Sequence, residues 1–340
     1  MTRRDPPDDR DTLVDAKKTR LGVGGAKAKP VDDLAGQVVG GYLVEEQLGA
    51  GAMGAVYRAS HIDTNRVVAL KALHSHHLSE ASIVERFRRE AKLAARLSHP
   101  YIGGVIELVQ AGDGRHVIVL EYVEGEPLSA IMTMPLDPTR VLTLVGQLLR
   151  GLEHAHGEGL VHRDLKPDNV LVEWRNGRDH ARIVDFGIAI IRDANEGGQE
   201  RLTATGQMIG TPLYMAPEQA RGEVIDHRAD LYSLGVMVYE MLTGVLPFEG
   251  RPLDILAASL KRDPPPIAER VPGLIVDPLH EAFARKLMAR VLAKRFTSAR
   301  HALDVLAMIA NDREAAGPAL GIMNVERALA VVSLPPIAPR

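Results

Sequence analysis

Apolar positions along the chain change their spacing twice, and those changes divide it into parts. Residues 1–35 set few large apolar side chains among Asp, Arg, Lys, Pro and Gly, too few to offset the entropy of ordering, and are expected to form a flexible arm. From Val38 to about Leu120, short runs rich in Val and Leu are broken by Gly and Asp, which predicts strands. One helical segment, "SIVERFRREAKLAARLSHP", interrupts them. After Pro127 the spacing becomes helical, as in "VLTLVGQLLRGLEHAH", and stays mostly so to about Ala310. The expected parts are the arm 1–35, a β-rich part 36–123, a larger helical part 124–312 and a tail 313–340 with a short amphipathic run from about Val325 to Leu334. No repeat of fixed period is present.

The interrupting helix has Ser82 and Glu85 spaced as a capping box, and Ile83, Phe87, Ala94 and Leu97 mark a buried stripe. Glu90 falls on that stripe, seven residues after Ile83 and three after Phe87. Leaving a buried charge unpaired costs roughly 3–5 kcal/mol, so an inward Glu90 needs a partner, and Lys71 is the candidate; the alternative is a side chain tilted out to solvent.

Composition narrows the functional classes. The 340 residues hold 41 Lys and Arg against 44 Asp and Glu, a net charge of −3, so nothing global argues for nucleic acid or an anionic membrane as the main partner, although a local basic patch is still open. Cysteine is absent, which removes disulfides, thiolate metal sites and Cys nucleophiles and fits a reducing compartment. The N-terminus "MTRRDPPDDRD" has no apolar run behind its arginines, so no export signal is readable. The most apolar long stretch, "LYSLGVMVYEMLTGVLPF", contains Glu240 and Pro247 and predicts a buried helix and its exit, not a membrane span. The expectation is a soluble cytoplasmic protein.

The stretch "LGAGAMGAVYRA", from Leu48, places Gly49, Gly51 and Gly54 in the spacing G-x-G-x-x-G. That spacing serves a strand-to-helix turn in dinucleotide folds, a strand-turn-strand flap over ATP in protein kinases, and plain tight turns. Behind Gly54 the chain reads "AVYRASHIDTNRVVALKAL", whose polar Asp63-Thr64-Asn65 turn and alternating Val67–Lys71 predict a hairpin. The acidic residue that a dinucleotide site wants about twenty positions on is replaced near there by Lys71. Alternation sets Val67, Ala69 and Lys71 on one face. Nearby "HSHH", His74 to His77, is not accompanied by a metal-ligand spacing, and solvated or locally packed imidazoles are expected there.

The richest constellation is "HRDLKPDNVLVEWRNGRDHARIVDFG". Asn169 precedes an apolar strand, Val170 to Trp174, and Asp185 follows another, Ala181 to Val184; Asn176-Gly177 between them is a hairpin-turn signal. Folding there brings the oxygens of Asn169 and Asp185 together, a donor pair that suits Mg²⁺ shared with substrate phosphates. Asp164 then lies in the adjoining loop within reach of a hydroxyl, and Lys166 adds positive charge.

With "GTPLYMAPE" downstream, these motifs resemble the protein kinases of the eukaryotic-like, bacterial-type serine/threonine class over about Val39 to Ala310. The resemblance implies an α+β bilobal fold, with a small β-rich N-lobe over 36–123 that holds one main helix and a larger helical C-lobe over 124–312. It implies ATP and Mg²⁺ (or Mn²⁺) as cofactors, with Gly49, Gly51 and Gly54 over the phosphates, Lys71 on the α- and β-phosphates and Glu90 holding Lys71. Asp164 would be the catalytic base, Lys166 its cationic neighbour, and Asn169 and Asp185 the metal ligands. Leu48, Val56, Ala69 and Leu171 would surround the adenine, with Glu121 and Val123 in the hinge and Leu120 as gatekeeper. Asp230 would brace the catalytic loop, and Arg295 would pair with Glu218.

Lys166 and Thr211 match the serine/threonine pattern, so the implied partners are protein substrates with Ser or Thr acceptors, without nucleic acid or membrane span. Thr203, Thr205 and Thr211 lie in a polar, glycine-rich segment as candidate autophosphorylation sites, which Arg163 could bind once modified; a solvated loop without that role is the alternative. A pseudokinase scaffold remains a second reading of the whole chain, although Lys71, Asp164 and Asp185 are all present.

Overall fold

A computed structural model describes residues 33–51, 54–186 and 212–323. Nearly all of the expected arm, the candidate acceptors Thr203, Thr205 and Thr211, and the amphipathic run of the tail lie outside the described residues.

The alternating N-terminal runs form a six-stranded antiparallel sheet: β1 (Val38–Val39), β2 (Tyr42–Ala50), β3 (Gly54–His61), β4 (Val67–Leu73), β5 (Val105–Gln110) and β6 (His116–Glu121). Its order, β1-β2-β3-β4-β6-β5, departs from a simple meander because helix α1 (Ala81–Ala94) carries the chain past the edge, and β6 returns to pair with β4. Helix α1 packs on this sheet through Phe87 and Ala91, which meet Leu73 and Ile118.

The capping box expected at Ser82 and Glu85 is not formed. Glu80 is the N-cap residue, without a side-chain cap, and its carbonyl already accepts from the amides of Ile83 and Val84. Ser82 therefore lies inside the first turn.

Beyond β6 come β7 (Glu126–Pro127), α2 (Leu128–Ile131) and α3 (Pro138–Gly157), which opens on Asp137 accepting from the amides of Thr139 and Arg140. β7 joins β8 (Val170–Arg175) and β9 (Arg178–Ile183) in a three-stranded antiparallel sheet. The helices α4 (Pro217–Arg221), α5 (Arg228–Thr243), α6 (Pro252–Lys261), α7 (Ile267–Arg270), α8 (Pro278–Leu287), α9 (Ala299–Asn311) and α10 (Arg313–Leu320) follow.

The stretch read as a buried helix is α5, whose residues from Ala229 to Thr243 are all buried. It packs on α3 and α8, and these helices share one apolar core with β8, β9 and α9. Among the described residues no helix is long and apolar enough to cross a membrane. Helical packing continues past the expected boundary at 312: α10 rests on α8 and α9, buries Ala316 and is tied down by Arg313 to both oxygens of Asp277. The fold is bilobal α+β, as the resemblance implied.

Candidate active site

The three glycines lie at the turn of the β2–β3 hairpin, so the segment is strand-turn-strand. Their reasons for being glycine differ. A Cβ on Gly54 would stand 2.0 Å from the carbonyl oxygen of Ala72, so β3 can approach β4 this closely only with hydrogen there. Among the described residues Gly49 faces no atom within 4 Å, and Gly51 meets only the Gly54 carbonyl at 4.0 Å. Packing among the described residues makes no demand for glycine at those two positions; the free space there is what a phosphate chain close to the backbone requires.

Val56 sits opposite both Gly49 and Lys71 in the strand register, and Ala69 opposite Leu120, so Lys71 lies one strand away from the hairpin. After β6 the amide of Glu121 bonds to the Gly104 carbonyl, and the carbonyl of Val123 accepts from Gly125. Among the described residues the Val123 amide is left without a partner, a donor suited to a heterocycle edge. The Glu121 side chain is engaged elsewhere, accepting from the Gly104 amide and from Arg182. Burial opposes its charge, but those two donors hold its carboxyl below the usual range.

The Asn176-Gly177 turn forms as the sequence predicts, with φ of 50° and 76° at its two residues. It closes the hairpin of β8 and β9, which pair from Val170–Ile183 to Arg175–Arg178. At the open end the Val184 amide donates to the Asn169 carbonyl at 2.9 Å, which places Asn169 beside the start of the Asp185 segment. Asn169 Nδ2 donates to the Asp164 carbonyl at 2.8 Å, which orients the amide and leaves its oxygen available as a ligand. Asp185 takes Lys71 Nζ on Oδ1 at 2.9 Å, so β4 and the end of the hairpin meet at one point. Asp185 is left-handed at φ 62°, a conformation costing of order 1–3 kcal/mol that is held by its surroundings.

These residues fit a divalent cation bound together with a nucleotide. A carboxylate and an amide oxygen are hard donors, and among the described residues no cluster of three His, Asp or Glu could hold a metal alone. Water and phosphate oxygens would complete such a site.

Asp164 accepts from Lys166 Nζ at 2.8 Å on Oδ2, and its amide bonds to His162 Nδ1 at 3.3 Å. The loop that presents it is built on Asp230 of α5, which is wholly buried. Asp230 Oδ1 accepts from the Arg163 amide, and Oδ2 from the His162 amide and His156 Nε2, all at 2.8 Å. Burial opposes the Asp230 charge, yet the hydrogen bond from His156, with that from the His162 amide, brings its pKa below the usual carboxylate value. Arg163 is thereby held at φ 66°, and Gln219 Nε2 fixes its carbonyl at 2.8 Å. Glu218 receives Arg295 Nη1 and Nη2 at 2.6 and 2.8 Å in a fully buried bidentate pair.

Glu90 is buried on α1, as its stripe predicted. Lys71, the partner expected for it, rests on Asp185 in this conformation. Leu171 lies in β8 opposite Arg182 and Pro127. Sequence reasoning missed His156, Gln219 and Arg182, each tens of residues from what it holds; only the "HAH" spacing of His154 and His156 before the loop offered a signal.

A protein kinase domain model matches residues 42–304. The serine/threonine-protein kinase pkn3 of Myxococcus xanthus is 44% identical over 262 residues, covering 76% of this chain and 48% of that protein. PrkC of Bacillus subtilis, also a serine/threonine-protein kinase, is 34% identical over 259 residues, 72% of this chain and 39% of that protein. The chain therefore spans less than half the length of these relatives. A crystal structure of the PknI kinase domain of Mycobacterium tuberculosis matches 84% of this chain and all of that one at a TM-score of 0.62 and 28% identity. With the family model spanning most of the chain, and Lys71 meeting Asp185 beside Asn169 and Asp164, the chain belongs to the protein kinase domain family, among its bacterial serine/threonine members.

Proposed function

We propose that the chain is an ATP-dependent serine/threonine protein kinase, with residues 36–123 as one lobe and 124–312, extended by α10, as the other. The observation that carries this reading is the meeting of Lys71 with Asp185, beside Asn169 and one strand from the glycine hairpin. Gly49, Gly51 and Gly54 cover the phosphates, Lys71 pairs with the α- and β-phosphates, and Leu48, Val56, Ala69 and Leu171 enclose the adenine. The Glu121–Val123 segment supplies backbone hydrogen bonds to it. Glu90 takes Lys71 when α1 adopts its catalytic position; burial of its carboxylate on the face toward the sheet supports that role.

Asn169 and Asp185 would hold Mg²⁺ or Mn²⁺, which when bound would supply positive charge toward the phosphates. Asp164 orients the acceptor hydroxyl and takes its proton as the oxygen attacks the γ-phosphorus and the bond to the β-phosphate oxygen breaks, releasing ADP. Lys166, on Asp164, adds positive charge where the phosphoryl passes. The acceptors are Ser or Thr hydroxyls of proteins in signal transduction, with no role for nucleic acid, and the working location is the cytoplasm. Thr203, Thr205 and Thr211 are proposed autophosphorylation sites, with Arg163 as the cation that receives the phosphate.

The test is transfer from labelled ATP to a protein acceptor by wild type and Asp164→Asn. A loss of about 10²-fold or more is expected, the low end for removing a general base; equal rates would overturn the role of Asp164.

A further inference from the structure

The cluster His74 to His77, which no step of the transfer uses, is seated against the glycine hairpin. His74 directly follows β4, the strand that carries Lys71. Its ring is buried, and Nε2 lies 2.8 Å from the carbonyl oxygen of Gly51. A carbonyl oxygen only accepts, so Nε2 carries the hydrogen and donates it.

The ring is supported from behind. His76 stacks on it with 5.4 Å between ring centroids and an interplanar angle of 18°, and His77 lies 4.1 Å from His76. His77 Nδ1 in turn bonds to Glu80, the N-cap residue of α1, at 3.1 Å. Gly51 is otherwise held at the turn by the bond from its amide to the Gly54 carbonyl.

We propose that His74 is a positioning residue that latches the glycine-rich hairpin through the Gly51 carbonyl, setting the height of the hairpin over the triphosphate of ATP. The inference rests on the kinase reading for its ligand. Three observations carry it: the hydrogen bond, the burial of the donor, and the space at Gly49 and Gly51 that the described residues leave open to a phosphate. Strand β4 thus holds the ammonium assigned to the phosphates and leads directly into the latch of the flap above them. Holding the flap equally in the ground and transition states is uniform binding, so its loss appears in KM.

The test compares His74→Phe, which keeps an aromatic ring for the stack and removes the donor, with His74→Gln, whose amide nitrogen restores one at similar reach. Two readouts are taken: hydrogen exchange of the hairpin amides in the nucleotide-free protein, and KM and kcat for ATP. In His74→Phe, exchange and KM are expected to rise about three- to tenfold, the range for one net hydrogen bond. kcat is expected to stay within about twofold, and His74→Gln to stay close to wild type in all three. Unchanged exchange in His74→Phe overturns the latch. Faster exchange with unchanged KM, or a fall in kcat alone, overturns its role toward nucleotide.

If wild type transfers no phosphate, the kinase reading fails while the exchange readout still decides the latch. Should the Phe side chain lower the melting temperature sharply, His74→Ala is read in the same way.

Discussion

Asp230→Asn isolates the brace beneath the catalytic loop. One carboxylate serves three donors: the Arg163 amide on one oxygen, and the His162 amide with His156 Nε2 on the other. Asn keeps the shape but turns one oxygen into an NH2. With its remaining oxygen toward His162 and His156, the Arg163 amide faces another donor, and a buried orphan of that kind costs about 1–3 kcal/mol. The two surviving bonds lose charge assistance, which roughly halves them. Together the loss is about 2–6 kcal/mol, or about 4–24 °C in Tm at 2–4 °C per kcal/mol for a domain of this size.

Activity should fall further than stability, because the same bonds hold Arg163 at φ 66° next to Asp164. A displacement of about 1 Å at that position costs on the order of 10²-fold in rate. Thermal denaturation and labelled-phosphate transfer measure the two effects. A Tm within about 2 °C of wild type, where the smallest expected shift is about 4 °C, together with an unchanged rate would refute the brace.

The pH dependence has a definite sign. The Asp230 carboxyl lies below its ordinary 3.8, so its contribution is complete above that value and is lost as pH falls through the lower native pKa. The Tm gap between wild type and Asn should hold from neutral pH down to about 4 and narrow below it.

Arg295→Met leaves Glu218 buried without its cation and should cost about 3–5 kcal/mol in denaturant unfolding, with part recovered by adding Glu218→Gln; a single variant as stable as wild type would show that the pair is dispensable. Gly54→Ala drives a Cβ into the Ala72 carbonyl and should open the β3–β4 pairing, seen as a lowered Tm and faster hydrogen exchange in both strands. Gly49→Ala meets open space and should change stability by less than about 1 kcal/mol while raising KM for ATP. Equal Tm losses in the two glycine variants would contradict the distinction drawn between them.

Local chemistry was enough for much of this molecule. The Asn176-Gly177 turn, the strand-turn-strand character of the glycine segment, the inward face of Glu90 and the burial of α5 each depend on neighbours within a few residues, where periodicity and turn preferences act directly. The motifs around Asp164 and Asp185 likewise pointed to the protein kinase family that the family model matches, because they are short segments with set spacing. Packing decided the features that the linear pattern left open. The exchange of β5 and β6 in the sheet order depends on how α1 crosses the edge, and the start of that helix at Glu80 depends on the turn that delivers the chain to it. The placement of Lys71 on Asp185, the triple use of Asp230 and the seat of His74 against Gly51 join residues 23 to 114 positions apart. Such contacts are selected by burial, where an unmet donor or charge is costly, and burial is a property of the assembled fold, invisible to the spacing of residues along a chain.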